Sequence, residues 1–183
     1  MAVHDGNGWV ECRCGRRHWG RHGAAGLLLL TGSVPSGSDG QRADLGSGRT
    51  GESGLRVLLQ LRAGWVHQGG SWALPGGARD SHEDAVTAAL REAAEEVGSR
   101  AEDLTVLVEH RGLDHGDWDY TYVVAHTDRP GHVHRSSAES EELRWVELPQ
   151  VATYDLHPAL QVAWPGLARA AVRAIRFTAG PPS

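Results

Sequence analysis

The chain has 183 residues, 40% of them apolar, and its formal net charge at neutral pH is −5. This length favours one domain with its own hydrophobic core rather than two. The acidic balance argues against a nucleic-acid partner, and no stretch approaches the roughly 20 apolar residues that a membrane-spanning helix needs.

Residues 1–23 form an N-terminal segment that contains the two cysteines of the chain, Cys12 and Cys14. One residue separates them, so a mutual disulfide would be strained, and reduced thiols favour a cytoplasmic location. With His18 and His22 they offer four zinc ligands, although the spacing is not one of the common structural-zinc patterns. We favour the alternative of a strand or loop with packed aromatic side chains and two reduced thiols. In a further alternative, His18, Trp19 and His22 line a nucleotide pocket.

The apolar run 24–30 predicts a buried strand, because it is short and continuous. The segment 31–54 is rich in glycine and serine and carries almost no apolar residues, which predicts a flexible internal loop. Aliphatic or alternating patterns predict five further strands, at 55–61, 72–74, 104–111, 120–126 and 143–148. Helical spacing predicts a C-terminal helix over 158–176, interrupted at Pro165, before a disordered tail at 179–183.

Between these strands, a Pro-Gly-Gly turn at 75–77 precedes a predicted helix that begins near Ser81 and ends at Gly98. Its apolar residues recur at three- and four-residue steps and form one stripe, consisting of Val86, Leu90, Ala93 and Val97.

Three carboxylates share another face of this helix, because Glu92, Glu95 and Glu96 stand at positions i, i+3 and i+4. Like charges at this spacing repel one another unless a cation neutralises them. Mg²⁺ is a hard ion that prefers oxygen ligands and takes the remainder from water and substrate phosphates. The alternative is a solvated acidic face without a metal.

The full pattern is Gly77, five residues, Glu83, seven residues, and then Arg91-Glu-Ala-Ala-Glu-Glu-Val-Gly98. It resembles the Nudix box, the signature of the Nudix hydrolases, with Ser99 where the family usually has an aliphatic residue. The preceding sequence SWALPGG at 71–77 extends the resemblance. It implies an α+β fold, an α/β/α sandwich with a mixed β-sheet, formed by one domain over 24–178.

The resemblance also implies hydrolysis of a nucleoside diphosphate linked to another moiety, with Mg²⁺ or Mn²⁺ as the cofactor. Glu95 and Glu96 are then expected to be the central metal ligands, and Glu92 a third ligand or the base that activates water. The Gly77 carbonyl is a further expected ligand.

Two other carboxylates and one arginine complete the catalytic residues that the resemblance implies. Arg91 is expected to orient a carboxylate of the box through a bidentate pair, with Glu83 as its partner or as an outer metal ligand. In MutT-type members an acidic residue before the Arg-Trp-Val strand binds metal or acts as general base. Glu139 aligns best with that position and Glu142 second; the alternative is a solvated acidic loop.

The substrate-binding candidates lie outside the box and comprise Arg62, Trp65, Trp118 and Tyr120. Trp118, in the turn-rich segment between two strands, would stack on a nucleobase as an exposed ring, or would instead close the hydrophobic core. No proline stands near Asp114, where ADP-ribose hydrolases carry one, and the signatures of diadenosine polyphosphate hydrolases and NADH pyrophosphatases are absent.

By elimination, the sequence favours a MutT-like nucleoside triphosphatase acting as a monomer or homodimer on a small nucleotide. One alternative is another Nudix pyrophosphatase, acting on a dinucleotide, a nucleotide sugar or an RNA 5′ end. The other is a non-catalytic, nucleotide-binding regulator, although such a module has no need of Arg91 and the four glutamates of the box.

Overall fold

The computed structural model describes residues 4–33 and 54–178. Two sequence predictions therefore lie outside the described residues: the flexible loop 31–54, apart from its ends, and the tail 179–183.

The described residues form nine strands and two α-helices, with six strands before the first helix and three between the two helices. The strands are β1 (Trp9–Glu11), β2 (Arg17–Trp19), β3 (Ala24–Thr31), β4 (Arg56–Arg62), β5 (Trp72–Ala73), β6 (Gly76–Ala78), β7 (Thr105–Asp114), β8 (Asp119–His126) and β9 (Ser140–Glu147). The helices are α1 (Ala85–Val97) and α2 (Pro158–Thr178), and short 3-10 helices cover Ala101–Asp103, Pro130–His132 and Leu148–Thr153.

Strands β3 to β9 form one mixed sheet, with β5, β4, β3, β8 and β7 in that order, β6 paired to β3 and β9 paired to β4. Strand β3 runs parallel to β8 and antiparallel to β4 and β6. Strands β1 and β2 make a separate antiparallel hairpin, which we call the N-terminal hairpin. The predicted α+β fold with a mixed sheet is confirmed.

Strand β3 is buried along its whole length because both faces of the sheet are covered by helices. Leu27 and Leu29 face the cluster that includes α1, whereas Leu28 and Leu30 face the cluster that includes α2. A strand covered on both sides needs apolar side chains at every position, which explains the continuous apolar run in its sequence.

Helix α1 begins at Ala85, four residues after the predicted start at Ser81, so that boundary was wrong. Asp84 caps the helix by accepting a hydrogen bond from the Thr87 amide at 2.7 Å. Ser81 instead donates to the carboxylate of Asp5 and therefore anchors the N-terminal segment. At its other end the helix stops as predicted at Gly98, which adopts the left-handed conformation (φ 62°).

The predicted apolar stripe of α1 is only partly correct. Ala93 and Val97 are fully buried, but Val86 and Leu90 are only partly buried at the edge of the cluster. The centre of the contact is made by Ala85, Ala88 and Ala89. Because alanine is small, the helix lies close to β3 and β6, and its carboxylates are drawn close to the backbone of the sheet.

Helix α2 continues through Pro165, where the sequence predicted an interruption. Leu160, Trp164 and Leu167 pack against the sheet, whereas Pro165 is exposed on the opposite side. Among the described residues, neither helix combines the length and the apolar character that a membrane crossing would require.

Candidate active site

One cleft of about 650 Å³ lies between α1, β6, the loop after β4 and the N-terminal hairpin. It brings together the residues predicted for catalysis, metal binding and substrate binding: Arg62, Trp65, Gly77, Arg91, Glu92, Glu95, Glu96, Trp118, Tyr120 and Glu139. This volume is in the range of pockets that hold small organic ligands.

Arg91 is held at the centre of the carboxylates by several hydrogen bonds. Its Nε and Nη2 donate to the two oxygens of Glu83 at 2.8 and 2.9 Å, which is a bidentate pair. Nη1 donates to Glu92 at 2.8 Å, and Nη2 also donates to the Ala78 carbonyl at 2.9 Å. The guanidinium therefore directs its hydrogen bonds at protein groups and fixes the orientation of two carboxylates.

The three carboxylates of α1 differ in exposure. The Glu95 side chain is 49% exposed, whereas that of Glu92 is 14% exposed. Burial raises the pKa of Glu92, although its hydrogen bond to Arg91 opposes the rise. Glu95 is thus the carboxylate most open to the cleft, and Glu92 is the one that the protein orients.

Glu96 is the most buried of the three, with 6% of its surface exposed. One of its oxygens accepts a hydrogen bond from the Gly76 amide at 2.9 Å. Burial raises the pKa of Glu96 to about 7, and the charge of Glu92 adds to the rise. A buried carboxylate beside a second carboxylate is stable as an anion only when a cation is close.

We expect the free energy of unfolding of the metal-free protein to fall as the pH rises from about 4.5 to about 7. Because its pKa is raised in the folded state, Glu96 keeps a proton there that the unfolded chain has already lost, so stability decreases with pH across this window. The decrease is at most about 3 kcal/mol, since one pKa unit corresponds to 1.36 kcal/mol.

Urea unfolding in EDTA between about pH 5 and pH 8 measures this dependence. The Glu96→Gln variant, which cannot titrate at this position, is the control and should show a flatter profile. Identical profiles for the two proteins would show that Glu96 titrates normally.

Gln60 is a residue that the sequence analysis missed. It is fully buried in β4, and its amide lies beside Glu96, where it opposes the rise in that pKa. Neither of its side-chain polar atoms makes a hydrogen bond of normal geometry to the described residues. One glutamine within the aliphatic sequence RVLLQLR was the available signal, since a buried polar side chain needs a partner.

Glu139 precedes the β9 strand and Glu142 lies near its start, but only Glu139 lines the cleft. The Glu142 carboxylate pairs with Arg144 on the exposed side of the sheet. The backbone carbonyl of Glu139 accepts from the Ala63 amide at 2.8 Å, which ties this turn to the loop after β4. Among the described residues no group donates a hydrogen bond to the Glu139 carboxylate, so it is free to act in the cleft.

Gly77 leaves the space that the Glu92 carboxylate fills. A Cβ atom at this position would lie 2.5 Å from Glu92 Oε1 and 2.6 Å from its carboxylate carbon. Gly77 and the carboxylates of Glu92, Glu95 and Glu96 line this part of the cleft, and carboxylate and carbonyl oxygens are the donors that Mg²⁺ and Mn²⁺ prefer. The residues present fit such an ion.

We expect Gly77→Ala to lower kcat/KM about 100-fold, because it displaces the Glu92 carboxylate and a shift of about 1 Å in a catalytic group can cost that much. The fold should persist, since the displaced atoms are at the end of a side chain. Steady-state kinetics and circular dichroism test both points. Gly131→Ala is the matched control, because a Cβ there meets no atom within 4 Å; equal activity of the two variants would contradict the prediction.

Aromatic side chains from two segments, the N-terminal hairpin and the loop after β4, form another part of the cleft wall. Trp65 is 71% exposed, and Trp9 and Trp19, from the N-terminal hairpin, are 41% and 43% exposed. The rings of Trp9 and Trp19 meet edge to face at 5.4 Å, and Trp9 meets His67 at 5.2 Å. The sequence analysis assigned Trp65 to this surface and gave Trp19 as an alternative pocket residue, but it missed Trp9.

Trp118 is 7% exposed, so the prediction of an exposed stacking ring was wrong and the packing alternative is correct. Its indole nitrogen donates to the Gly20 carbonyl at 2.9 Å, and its ring stacks on His18 at 4.2 Å. Tyr120 lies next to it in the floor of the cleft. Burial raises the pKa of Tyr120 well above its ordinary value, so its hydroxyl remains a neutral hydrogen-bond donor.

The zinc ligand set predicted for the N-terminal segment needs a correction. The structure brings Cys12, Cys14 and His18 together, but the fourth member of the group is His115, from the turn between β7 and β8, and not His22. His22 is exposed, and its carbonyl accepts from Arg79. Sequence spacing cannot find a ligand that the fold supplies from a distant turn.

Comparisons with known proteins show the family of the chain. The family model for the NUDIX domain matches residues 48–166. A Mycobacterium tuberculosis protein named "Putative 8-oxo-dGTP diphosphatase 3" is 44% identical over 167 residues, covering 87% of this chain and 68% of that protein.

Two further relatives extend the comparison. The crystal structure of RenU, a Nudix hydrolase from M. smegmatis, is 41% identical with a TM-score of 0.75, and the match covers 97% of this chain and 99% of RenU. A nucleoside triphosphate pyrophosphatase/Nudix hydrolase fusion protein of Bifidobacterium longum is 40% identical over 166 residues. The match covers 89% of this chain but spans only 31% of the fusion protein.

Proposed function

The chain belongs to the Nudix family as a MutT-like hydrolase, and we propose that it hydrolyses a pyrophosphate bond of a nucleoside triphosphate with the help of a divalent cation. One observation carries the proposal. A single cleft is lined both by the carboxylates of α1 and by exposed tryptophans of the N-terminal hairpin and the loop after β4. The first set suits a metal-bound phosphate chain, and the second suits a nucleobase.

The name of the M. tuberculosis relative supports a purine nucleotide with an oxidised base as the preferred substrate. The charges of the cleft agree with a triphosphate, because Arg17 and Arg62 line it and can neutralise phosphate oxygens. Arg62 is itself oriented by a hydrogen bond from its Nε to the His67 carbonyl.

Glu95, Glu96 and Glu92, with the Gly77 carbonyl, are the residues that would hold Mg²⁺ or Mn²⁺. When bound, the cation stabilises charge on the phosphoryl oxygens and lowers the pKa of a bound water. Arg91 holds Glu92 in place through the 2.8 Å bond described above. It is a positioning residue, because its donors are directed at protein groups.

The choice of general base falls on Glu139 rather than Glu92. Arg91 holds Glu92 through a hydrogen bond, and the Glu92 side chain is only 14% exposed, so it has little access to an attacking water. Glu139 is exposed in the cleft and receives no such bond from the described residues. We assign Glu139 the role of accepting the proton from the attacking water, so a Glu139→Gln variant should bind nucleotide normally but turn it over slowly.

The proposal is tested by measuring phosphate and pyrophosphate release from a panel of nucleotides with Mg²⁺ and with Mn²⁺. The panel contains ordinary and 8-oxo triphosphates, diadenosine polyphosphates, ADP-ribose and nucleotide sugars, and Glu95→Gln/Glu96→Gln is the inactive control. Preferred turnover of an 8-oxo triphosphate supports the proposal. Preferred turnover of a dinucleotide or a sugar nucleotide would assign a different substrate, and binding without turnover would identify a regulatory nucleotide-binding protein.

A cytoplasmic location and a monomeric or homodimeric state remain predictions. Size-exclusion chromatography with light scattering tests the second of these.

A further inference from the structure

A second group of metal-binding side chains lies outside the carboxylate cluster, where the N-terminal hairpin meets the turn between β7 and β8. Cys12, Cys14 and His18 come from the hairpin, and His115 comes from the turn. One ligand atom from each side chain lies within 4.8 Å of the other three. This cluster serves no step of the proposed hydrolysis.

The distances within the group agree with the geometry of a tetrahedral zinc ion. Zinc–sulfur bonds of about 2.3 Å and zinc–nitrogen bonds of about 2.0 Å at tetrahedral angles place sulfur and nitrogen about 3.5 Å apart. The Sγ of Cys14 lies 3.2 Å from His18 Nε2, and the Sγ of Cys12 lies 3.4 Å from His115 Nδ1. Two thiols and two imidazoles are a donor set that selects zinc over Mg²⁺.

The backbone of the hairpin turn holds the two sulfurs in position. The Cys12 amide donates to the Arg16 carbonyl, and the Gly15 amide donates to the Cys12 carbonyl, both at 2.9 Å. Gly15 has φ +80°, a conformation that glycine adopts without strain. The Cys14 amide points at Cys12 Sγ, 3.4 Å away, which ties that sulfur to the backbone of the turn.

Asp117 and Arg13 are charged side chains next to this group. The Cys12 thiol donates a hydrogen bond to an oxygen of Asp117 at 3.4 Å, and a bound metal would replace this hydrogen bond. Arg13 pairs with the other oxygen of Asp117 and keeps that carboxylate at the edge of the group. Two thiolates and a carboxylate close together would repel one another, and a divalent cation removes that repulsion.

We propose that Cys12, Cys14, His18 and His115 bind a structural zinc ion that fastens the N-terminal hairpin to the turn between β7 and β8. The attachment has a consequence for the cleft. His18 stacks on Trp118, and the same hairpin carries Trp9 and Trp19 into the cleft wall. The zinc ion thus holds the nucleobase-facing wall in place without touching the substrate, a role that rests on the proposed function, whereas the zinc site itself does not.

The experiment measures the zinc content of purified protein by elemental analysis and replaces zinc by Co²⁺ to record the absorption spectrum. We expect one zinc ion per chain and the thiolate-to-cobalt charge-transfer band of a tetrahedral site. His115→Ala and Cys14→Ser should weaken zinc binding by at least about tenfold. His22→Ala should keep full zinc content, because its ring lies outside the group.

If His115→Ala keeps its zinc and His22→Ala loses it, the assignment is overturned, and the fourth ligand is His22 rather than His115. Absence of zinc and of a cobalt spectrum in wild-type protein reconstituted with either metal would overturn the site altogether; this measurement needs no variant to fold. None of these readouts depends on turnover, so failure of the zinc site and failure of the proposed function are distinguishable. In steady-state kinetics with excess Mg²⁺, His115→Ala should raise KM more than it changes kcat.

Discussion

Replacing Glu96 with glutamine is expected to lower kcat/KM for nucleotide hydrolysis about 1,000-fold, since a bound cation supplies several kcal/mol to the transition state and each 1.36 kcal/mol is a factor of ten. Glutamine keeps the size of the side chain but removes the charge that a cation requires. Because Glu96 is buried and accepts a hydrogen bond from the Gly76 amide, no neighbouring side chain can take over its position. Initial rates across a range of Mg²⁺ concentrations measure the effect, and part of the loss should be recovered at high Mg²⁺.

The same variant should be at least as stable as the wild-type protein in EDTA at neutral pH, because it no longer buries a charged carboxylate. Activity and stability are then expected to change in opposite directions, which separates loss of the cation from misfolding. Glu102→Gln makes the same chemical change at an exposed residue outside the cleft and is the control. Equal activity of Glu96→Gln and Glu102→Gln would show that Glu96 has no role in the hydrolysis.

Much of this site was predictable because its central part is local in sequence. Residues three and four apart on a helix share a face, so the spacing of Glu92, Glu95 and Glu96 predicted that their carboxylates lie together. The helix start was missed because Asp80 and Ser81 have the residue types of a helix cap. In the structure they bind the backbone of Gly6 and the side chain of Asp5 instead.

The parts that could not be predicted depend on contacts between distant segments. No local pattern shows that the N-terminal hairpin packs against Trp118, whose indole donates to Gly20, or that His115 completes the group around Cys12. These contacts are decided by where β7 and β8 end relative to β3. The sequence supplied the residue types, and the sheet topology supplied the partners.

The burial of Glu96 also depends on how α1 packs against the sheet, which the sequence pattern of the helix did not predict. The stripe through Val86 and Leu90 would place the helix farther from the sheet than the alanine contact does. Because Ala88 and Ala89 allow close approach, Glu96 is buried against the backbone of Gly76. Burial of this kind raises a pKa, and no count of charges along the sequence reveals it.

Arg91→Ala is expected to lower the free energy of unfolding by about 3–5 kcal/mol, the usual cost of removing one partner from a buried ion pair. The Glu83 side chain is 4% exposed and would lose both hydrogen bonds of its bidentate partner. Arg91 also holds the pKa of Glu83 below its ordinary value, so without it this carboxylate would be buried and uncompensated. Urea unfolding in EDTA measures the loss, and activity should fall with it because Glu92 is no longer oriented.

Two further variants decide whether the buried charge is the cause. Arg100→Ala removes an arginine from an exposed pair with Glu102 and should change stability by less than about 1 kcal/mol. The double variant Arg91→Met/Glu83→Gln removes the Arg91–Glu83 charge pair and should regain part of the stability that Arg91→Ala loses, because the Glu83 carboxylate is no longer left unpaired, although Glu92 still loses its donor. It should stay inactive, since Glu92 still lacks the donor that orients it. If the double variant is no more stable than Arg91→Ala, the arginine stabilises the fold through its packing and its bond to the Ala78 carbonyl rather than through charge.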